Sequence, residues 1–223
     1  MMFELKTIQK PFLILCEGID ECNFLCSFLN SKELQNDGRF SQDIQICNFG
    51  GNEELPRQLT ILHNIEGYKM VSHILIIRDA ETDSNAAIMS IQNALKKNGL
   101  PLAPKCCQWI KQSPISTAYC LFPILNSTPQ VGTLEDLCWE ILKDNSKNEK
   151  EEIKQFINHM KNNYHRIVSH EHKSRLHTYF SVDDNLVSMK IGEAAKVGAF
   201  NWKHEKLKAL EDLIQEGLQS IKK

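Results

Sequence analysis

Two apolar runs in this chain end in acids. Phe12 to Cys16 is followed by Glu17, Gly18, Asp20 and Glu21 in "FLILCEGIDE", and Ile74 to Ile77 by Arg78, Asp79, Glu81 and Asp83 in "ILIIRDAETD". Carboxylates crowded at the ends of buried segments repel one another, and a hard divalent cation such as Mg2+ relieves that repulsion by taking their oxygens as ligands. In an open parallel sheet, ligands bind beyond the carboxyl ends of the strands, which is where Glu17 and Asp79 fall if both runs are strands. Residues two apart in a strand share a face, so Asp79 and Glu81 would offer a pair of oxygens provided the extended geometry persists past Arg78. Asp20, Glu21 and Asp83 have a second reading as caps or first-turn acids of the helices that follow, where negative charge suits the helix dipole.

The elements that must position these acids follow from periodicity. Phe12 to Cys16 reads as a fully buried strand, Gly18 as a tight turn, and Asp20 to Phe28 as a helix carrying Phe24, Leu25 and Phe28 at helical spacing. Asp43 to Phe49 is a second strand; Gly50, Gly51 and Asn52 then turn the chain into a helix over Leu55 to Ile65. Ser72 to Ile77 is a third strand, followed by a helix capped at Ser84 and stopped by Gly99. Ser116 to Ile124 is a later strand closed by Pro123, and "PKCCQWI" before it is a candidate for one more. Three strand and helix units in succession predict an α/β fold with a doubly wound, mostly parallel sheet. From Gly132 the pattern becomes helical: "GTLEDLCWEIL" is a capped amphipathic helix, "DNSKNEKEE" a polar break, and Ile153 to Val168 and Trp202 to Ile221 two further helices. The expected organisation is an α/β core over residues 1–131 and a mostly helical part over 132–223 packed on it.

Composition narrows the function classes. Hydrophobic residues at 42% and charged residues at 24% describe an ordinary globular chain rather than a disordered one. The balance of 26 basic against 28 acidic residues gives no bulk attraction to nucleic acid or anionic lipid, so any such contact must be a local patch. The opening "MMFELKTIQK" lacks the basic start and apolar core of a secretory signal, and no apolar run approaches the roughly 20 residues that span a bilayer. A cytoplasmic protein without a membrane partner is the expectation. Six of the eight cysteines, all but Cys106 and Cys107, sit within apolar patterns, where free cysteine acts as a small hydrophobe. The adjacent pair has no C-x-x-C partner, which argues against zinc there.

A hydrophobic strand ending in Glu-Gly, followed two strands later by an apolar run ending in D-x-D or its like, resembles the TOPRIM domain of topoisomerases, bacterial primases, small RNA-maturing nucleases and the overcoming-lysogenization-defect nucleases. Here those elements are "LILCEG" and "ILIIRDAE". The chain is similar, over nearly its whole length, to a stand-alone TOPRIM-like family of prokaryotic proteins in "FGGNEEL", in a strand ending in proline followed by "GTLEDL", and in "HKSRLHTYFS" and "GEAAKVGAFNW". The resemblance implies magnesium-assisted cleavage or transfer at a phosphodiester of DNA or RNA, with Mn2+ able to substitute. It implies that Glu17 is a metal ligand or general base and that Asp79 with Glu81 holds the metal. It also implies that Glu135 on a later helix, with Asp136 behind it, completes a second site, and that Lys173 steadies charge on the scissile phosphate. Asp20 and Asp83 are further candidate ligands. Glu81 stands where the usual pattern has a second aspartate, and no topoisomerase-type tyrosine is evident.

Other readings stay open beside the nuclease. One is a TOPRIM-like module that binds metal or nucleic acid without turnover and serves a partner ATPase. Another is a receiver-like phosphorylation switch, which wants paired acids closing the first strand and a single aspartate closing the third, and a shorter chain. "HEH" at 170–172 lacks the spacing that puts two imidazoles on one helical face, so it reads as surface or phosphate-contacting chemistry. Gly50 to Asn52 could cradle a phosphate at a helix start but is no P-loop. Lys173, Arg175, Lys190, Lys196 and Lys203 could form a basic strip, with a solvated helix face as the commoner explanation. Trp109, Trp139 and Trp202 read as core or partner contacts.

Overall fold

Strand β1 (Phe12–Cys16) is buried at every position because both of its faces are covered. Phe12, Ile14 and Cys16 enter one core, and Leu13 and Leu15 the other. The same split occurs in β3 (His73–Asp79) and β4 (Ser116–Phe122), where Leu75, Ile77, Ala118, Cys120 and Phe122 face one way and Ile74, Ile76, Tyr119 and Leu121 the other. Two covered faces explain why these stretches read as unbroken apolar runs rather than alternations. With β2 (Ile44–Asn48) they form a four-stranded sheet in the order β2-β1-β3-β4, parallel throughout. The computed structural model describes residues 3–32, 39–51, 53–125, 128–143 and 147–221.

Helix α1 (Ile19–Lys32) and the short α2 (Arg39–Asp43) lie between β1 and β2; α3 (Leu55–Leu62) and a 3-10 turn at Tyr68–Met70 lead to β3; α4 (Ser84–Lys97) leads to β4. Leu55, Leu59 and Leu62 of α3 and Ile91 and Leu95 of α4 fill one core, whereas Phe24, Leu25 and Phe28 of α1 fill the other, so the sheet is doubly wound as expected. The chain leaves β1 for β2 on one side and returns to β3 on the other. The strand order therefore reverses between β1 and β3, which opens a crevice at their carboxyl ends.

After a small hairpin of β5 (Ile124–Leu125) and β6 (Thr128–Pro129) come α5 (Leu134–Glu140), α6 (Lys147–Tyr164), α7 (Glu171–Ser181), α8 (Ile191–Lys196) and α9 (Lys208–Ile221). Their buried Leu137, Leu176, Phe180, Ile191, Leu210 and Ile214 belong to the same continuous cluster as Phe24 and Phe28. A Cβ at Gly217 would lie 2.7 Å from both Phe12 Cε1 and Trp109 Cζ2, so this glycine lets α9 settle directly against the sheet side. Lys32 at the end of α1 and Glu211 on α9 pair at 3.1 Å with both side chains nearly buried.

Four local expectations change. "PKCCQWI" is no strand, because Cys107 has a left-handed backbone (φ +56°) and the Trp109 indole donates to the Leu213 carbonyl at 2.8 Å; only a bridge from Ile110 to Thr117 remains. Helix α6 begins at Lys147, inside the expected polar break, since a solvated helix needs little apolar surface; Ile153 and Ile157 are its buried residues. The cap of α4 is Asp83 rather than Ser84, its carboxylate accepting the Ala86 N–H at 3.0 Å. Strand β4 stops at Phe122, and Pro123 separates it from the hairpin. Asn52 and the break residues Asp144, Asn145 and Ser146 lie outside the described residues. Among the described residues no helix is long and apolar enough to cross a membrane.

Candidate metal centre at the strand ends

Cys16 of β1 is level with Ile77 of β3, so Glu17 and Asp79 emerge side by side at the reversal of strand order. A cleft of about 540 Å³ opens there, and it is lined by Glu17, Asp20, Glu21, Asp79, Glu81 and Glu135 together with Lys173. Of the acids predicted from sequence, Asp83 is exposed, caps α4, and does not line the cleft.

Glu17 is raised in proton affinity first by burial; the Arg78 guanidinium and the Asp79 backbone N–H oppose that, and the Glu81 charge adds to it. Its Oε2 stands 3.7 Å from Arg78 Nε, and both buried atoms lack a hydrogen-bond partner. The pair is thus a stretched one, and Oε2 is an acceptor oxygen left without a hydrogen-bond partner. Arg78 is 5% exposed and donates to Ser90 Oγ at 3.4 Å. Reasoning from sequence left its role unassigned; the signal was a lone cation between an apolar run and the acid that closes it.

Gly18 has a specific steric reason. A Cβ there would meet Glu21 Oε2 at 2.5 Å, so the glycine allows the Glu21 carboxylate to fold back over the turn. Burial pushes Glu21 up to about 7, its own backbone N–H opposes the rise, and the charges of Glu17, Asp20 and Glu135 add to it. Asp79 is raised well above the usual carboxylate range by burial and then by Glu21, Glu135 and Glu17; the opposing contribution is the Leu134 N–H, which donates to Oδ1 at 2.9 Å. That same bond fixes the start of α5 over the end of β3.

Glu81 reaches the cleft by a route other than strand alternation. Extended geometry ends at Asp79, and Glu81 has φ +54°, with its N–H and C=O bonded reciprocally to Gly132 at 2.8 and 2.7 Å. A glutamate in the left-handed region is strained, and its paired backbone holds it there. Glu135 is the second residue of α5, 12% exposed, with Lys173 Nζ of α7 at 3.7 Å and half exposed. Asp136 is committed elsewhere: its Oδ2 accepts the Thr133 N–H at 2.9 Å, and its Oδ1 pairs with Arg175, tying α7 to α5. Asp20 Oδ1 accepts the Gly192 N–H of α8 at 3.4 Å.

Gly50 and Gly51, with φ of +88° and +109°, form one wall of the cleft. Their N–H groups already donate to Asn48 Oδ1 at 2.7 Å and to the Glu17 carbonyl at 3.0 Å, so they are not a bare phosphate cradle. Of the five residues of the suggested basic strip, Lys173 alone lines the cleft.

The donor set is entirely carboxylate oxygen, which suits a hard cation such as Mg2+ or Mn2+ rather than a soft one. The orphaned oxygen of Glu17 and the burial-raised acids around it fit such an ion. Closing on an ion requires side-chain rotation, because among the described residues no three of these carboxylates bring oxygens within 4.8 Å of one another. A magnesium-sized ion takes some of its ligands from water, so a complete protein cage is not demanded.

Two solved structures of the C-terminal region of the Xanthomonas campestris pv. campestris OLD protein, phased with iodine and with mercury, are similar to this chain. Each is 13% identical, with TM-scores of 0.46 and 0.44; the alignments cover 94% of this chain and 96% and 97% of theirs. No curated protein matches. Residues 11–219, from the start of β1 into α9, match the family described as "Protein of unknown function (DUF3226)", and the chain belongs to that family.

Proposed function

We propose that the chain is a metal-dependent nuclease or related phosphodiester-cleaving enzyme of TOPRIM type, with its metal held at the strand ends. The observation that carries this reading is the convergence of Glu17 and Asp79 at the reversal of strand order, with Asp20, Glu21, Glu81 and Glu135 around them in one cleft. Glu81 is exposed, but a buried Asp79 beside the half-buried Glu17, Asp20, Glu21 and Glu135 is a concentration of charge that is costly without a cation. The resemblance of "LILCEG" and "ILIIRDAE" to the TOPRIM pattern supplies the substrate class. When bound, Mg2+ supplies Lewis-acid activation of a phosphodiester and of water. Glu17 and Asp79 are the proposed principal ligands, and Glu21, Glu81 and Glu135 the neighbours able to complete the shell. Lys173, half exposed at the rim, is placed to receive a phosphate oxygen once its contact with Glu135 opens. Arg78 restrains Glu17 from behind.

The test is cleavage of supercoiled plasmid and of structured RNA with Mg2+ or Mn2+, beside Mn2+ binding measured by electron paramagnetic resonance. Wild-type protein is expected to bind and cleave, Glu17→Gln and Asp79→Asn to lose both, and Lys173→Ala to bind Mn2+ yet cleave at least ~10²-fold more slowly. Mn2+ binding at these acids without cleavage of any substrate would move the assignment to a non-catalytic module acting with a partner ATPase. Absence of Mn2+ binding would remove the metal centre altogether.

A further inference from the structure

A second constellation lies away from the carboxylate cleft, in the segment between α4 and β4. The sulfurs of Cys106 and Cys107 are 3.8 Å apart, that of Cys120 on β4 is 3.2 Å from Cys107, and all three lie within 4.8 Å of one another. Among the described residues this is the one set of three potential ligand side chains so closely gathered. None of the three lines the cleft.

Adjacent residues in extended backbone send their side chains to opposite sides. Cys106 and Cys107 escape that rule because Cys107 adopts the left-handed conformation, uncommon for a residue with a Cβ. The Cys107 N–H is meanwhile fixed to the Tyr119 carbonyl at 2.8 Å, next to Cys120. The backbone therefore spends strain in a way that brings three sulfurs together, and such strain collects where a ligand is bound.

We propose that Cys106, Cys107 and Cys120 form a three-thiolate site for a thiophilic d10 divalent cation, of which Zn2+ is the natural probe. Sulfurs bound tetrahedrally at the usual zinc distance of about 2.3 Å lie about 3.8 Å apart, so the observed spacings need only small side-chain rotations. On binding, each thiol releases its proton to solvent and the ion takes three S–Zn bonds. Cys106 and Cys120 are buried and Cys107 is half-buried, so an exogenous fourth ligand would reach the ion from the Cys107 side. Three thiolates with no carboxylate or imidazole among them favour a soft cation over Mg2+. The bound ion staples the segment carrying Trp109, which anchors α9 through Leu213, to the edge strand β4. This proposal departs from the expectation drawn from sequence, because the third sulfur that spacing does not give Cys106-Cys107 is supplied by the fold.

The experiment uses the full chain, reduced and freed of metal, titrated with Cd2+ and Zn2+. One equivalent of Cd2+ is expected to give a thiolate-to-cadmium charge-transfer band that Zn2+ displaces. Cys107→Ser and Cys120→Ser should weaken Zn2+ binding at least ~100-fold, whereas Cys26→Ser leaves it unchanged. Wild-type protein gives a readout that does not depend on a variant folding: alkylation mapped by mass spectrometry should modify Cys107 in the metal-free chain and spare it with Zn2+. No charge-transfer band, unaltered Cys107 alkylation with Zn2+, or a Cys107–Cys120 disulfide that persists under reductant would overturn the site. None of these outcomes depends on the nuclease reading.

Discussion

At the scale of single residues, the cleft trades stability for charge. Asp79 is buried beside three other acids and has its proton affinity raised accordingly. Its ionised form is thus less favourable folded than unfolded, so the metal-free chain loses stability from this site as pH rises above the ordinary aspartate range. Asp79→Asn keeps an oxygen for the Leu134 N–H and removes the charge. The expected result is a metal-free protein more stable by roughly 1 kcal/mol, or ~2–4 °C in Tm, that no longer gains stability from Mn2+. Thermal melts with and without Mn2+ measure both; a lower metal-free Tm for the variant would show that the carboxylate is not a burden. Glu17 and Asp79 were legible because they close apolar runs. Arg78 was on view in the same run, but its pairing with Glu17 depends on the neighbouring strand.

Elements decide which faces meet, and here β3 carries a second buried titratable group at its other end. His73 is 4% exposed, packed between Phe12 and Trp109, with Ser220 Oγ at 2.7 Å and Ser72 Oγ at 2.9 Å. Burial, helped by the Lys111 charge, pushes it down to about 4. A folded value below the unfolded one means that the unfolded chain takes up the proton first as pH falls. Stability from this residue is then fully present above about 6.5 and lost as pH drops towards 4, by at most ~3 kcal/mol. His73→Phe leaves the serine hydroxyls their backbone acceptors and should flatten the fall in urea-unfolding free energy between pH 6.5 and 4; an unchanged slope would assign the fall elsewhere. The strands were legible element by element because burial on both faces writes a continuous apolar run. The left-handed turns at Glu81 and Cys107 were not, since glutamate and cysteine carry no local preference for that conformation.

On the scale of the whole molecule, the nearly buried ion pair of Lys32 and Glu211, 179 residues apart in sequence, links the first and last helices. Removing one partner strands the other charge in a low-dielectric seam. Lys32→Ala should cost ~3 kcal/mol, whereas Lys32→Met with Glu211→Leu should cost far less than the sum of the single changes. A urea double-mutant cycle measures the coupling, and additive losses would show that the helices are held by apolar contacts alone.

The sequence by itself determined the class of fold, the parallel strands and the identity of the acids that close them, because runs, caps and strand-terminal charges are local features set by burial and periodicity. The tertiary structure decided which of those acids share a cleft. It also routed Asp136 to Arg175, and set Glu135 and Lys173 opposite the strand ends. It alone gathered Cys120 with Cys106 and Cys107. Those outcomes rest on contacts between residues distant in the chain, and spacing along a sequence carries no information about which distant side chains a packed core brings within reach.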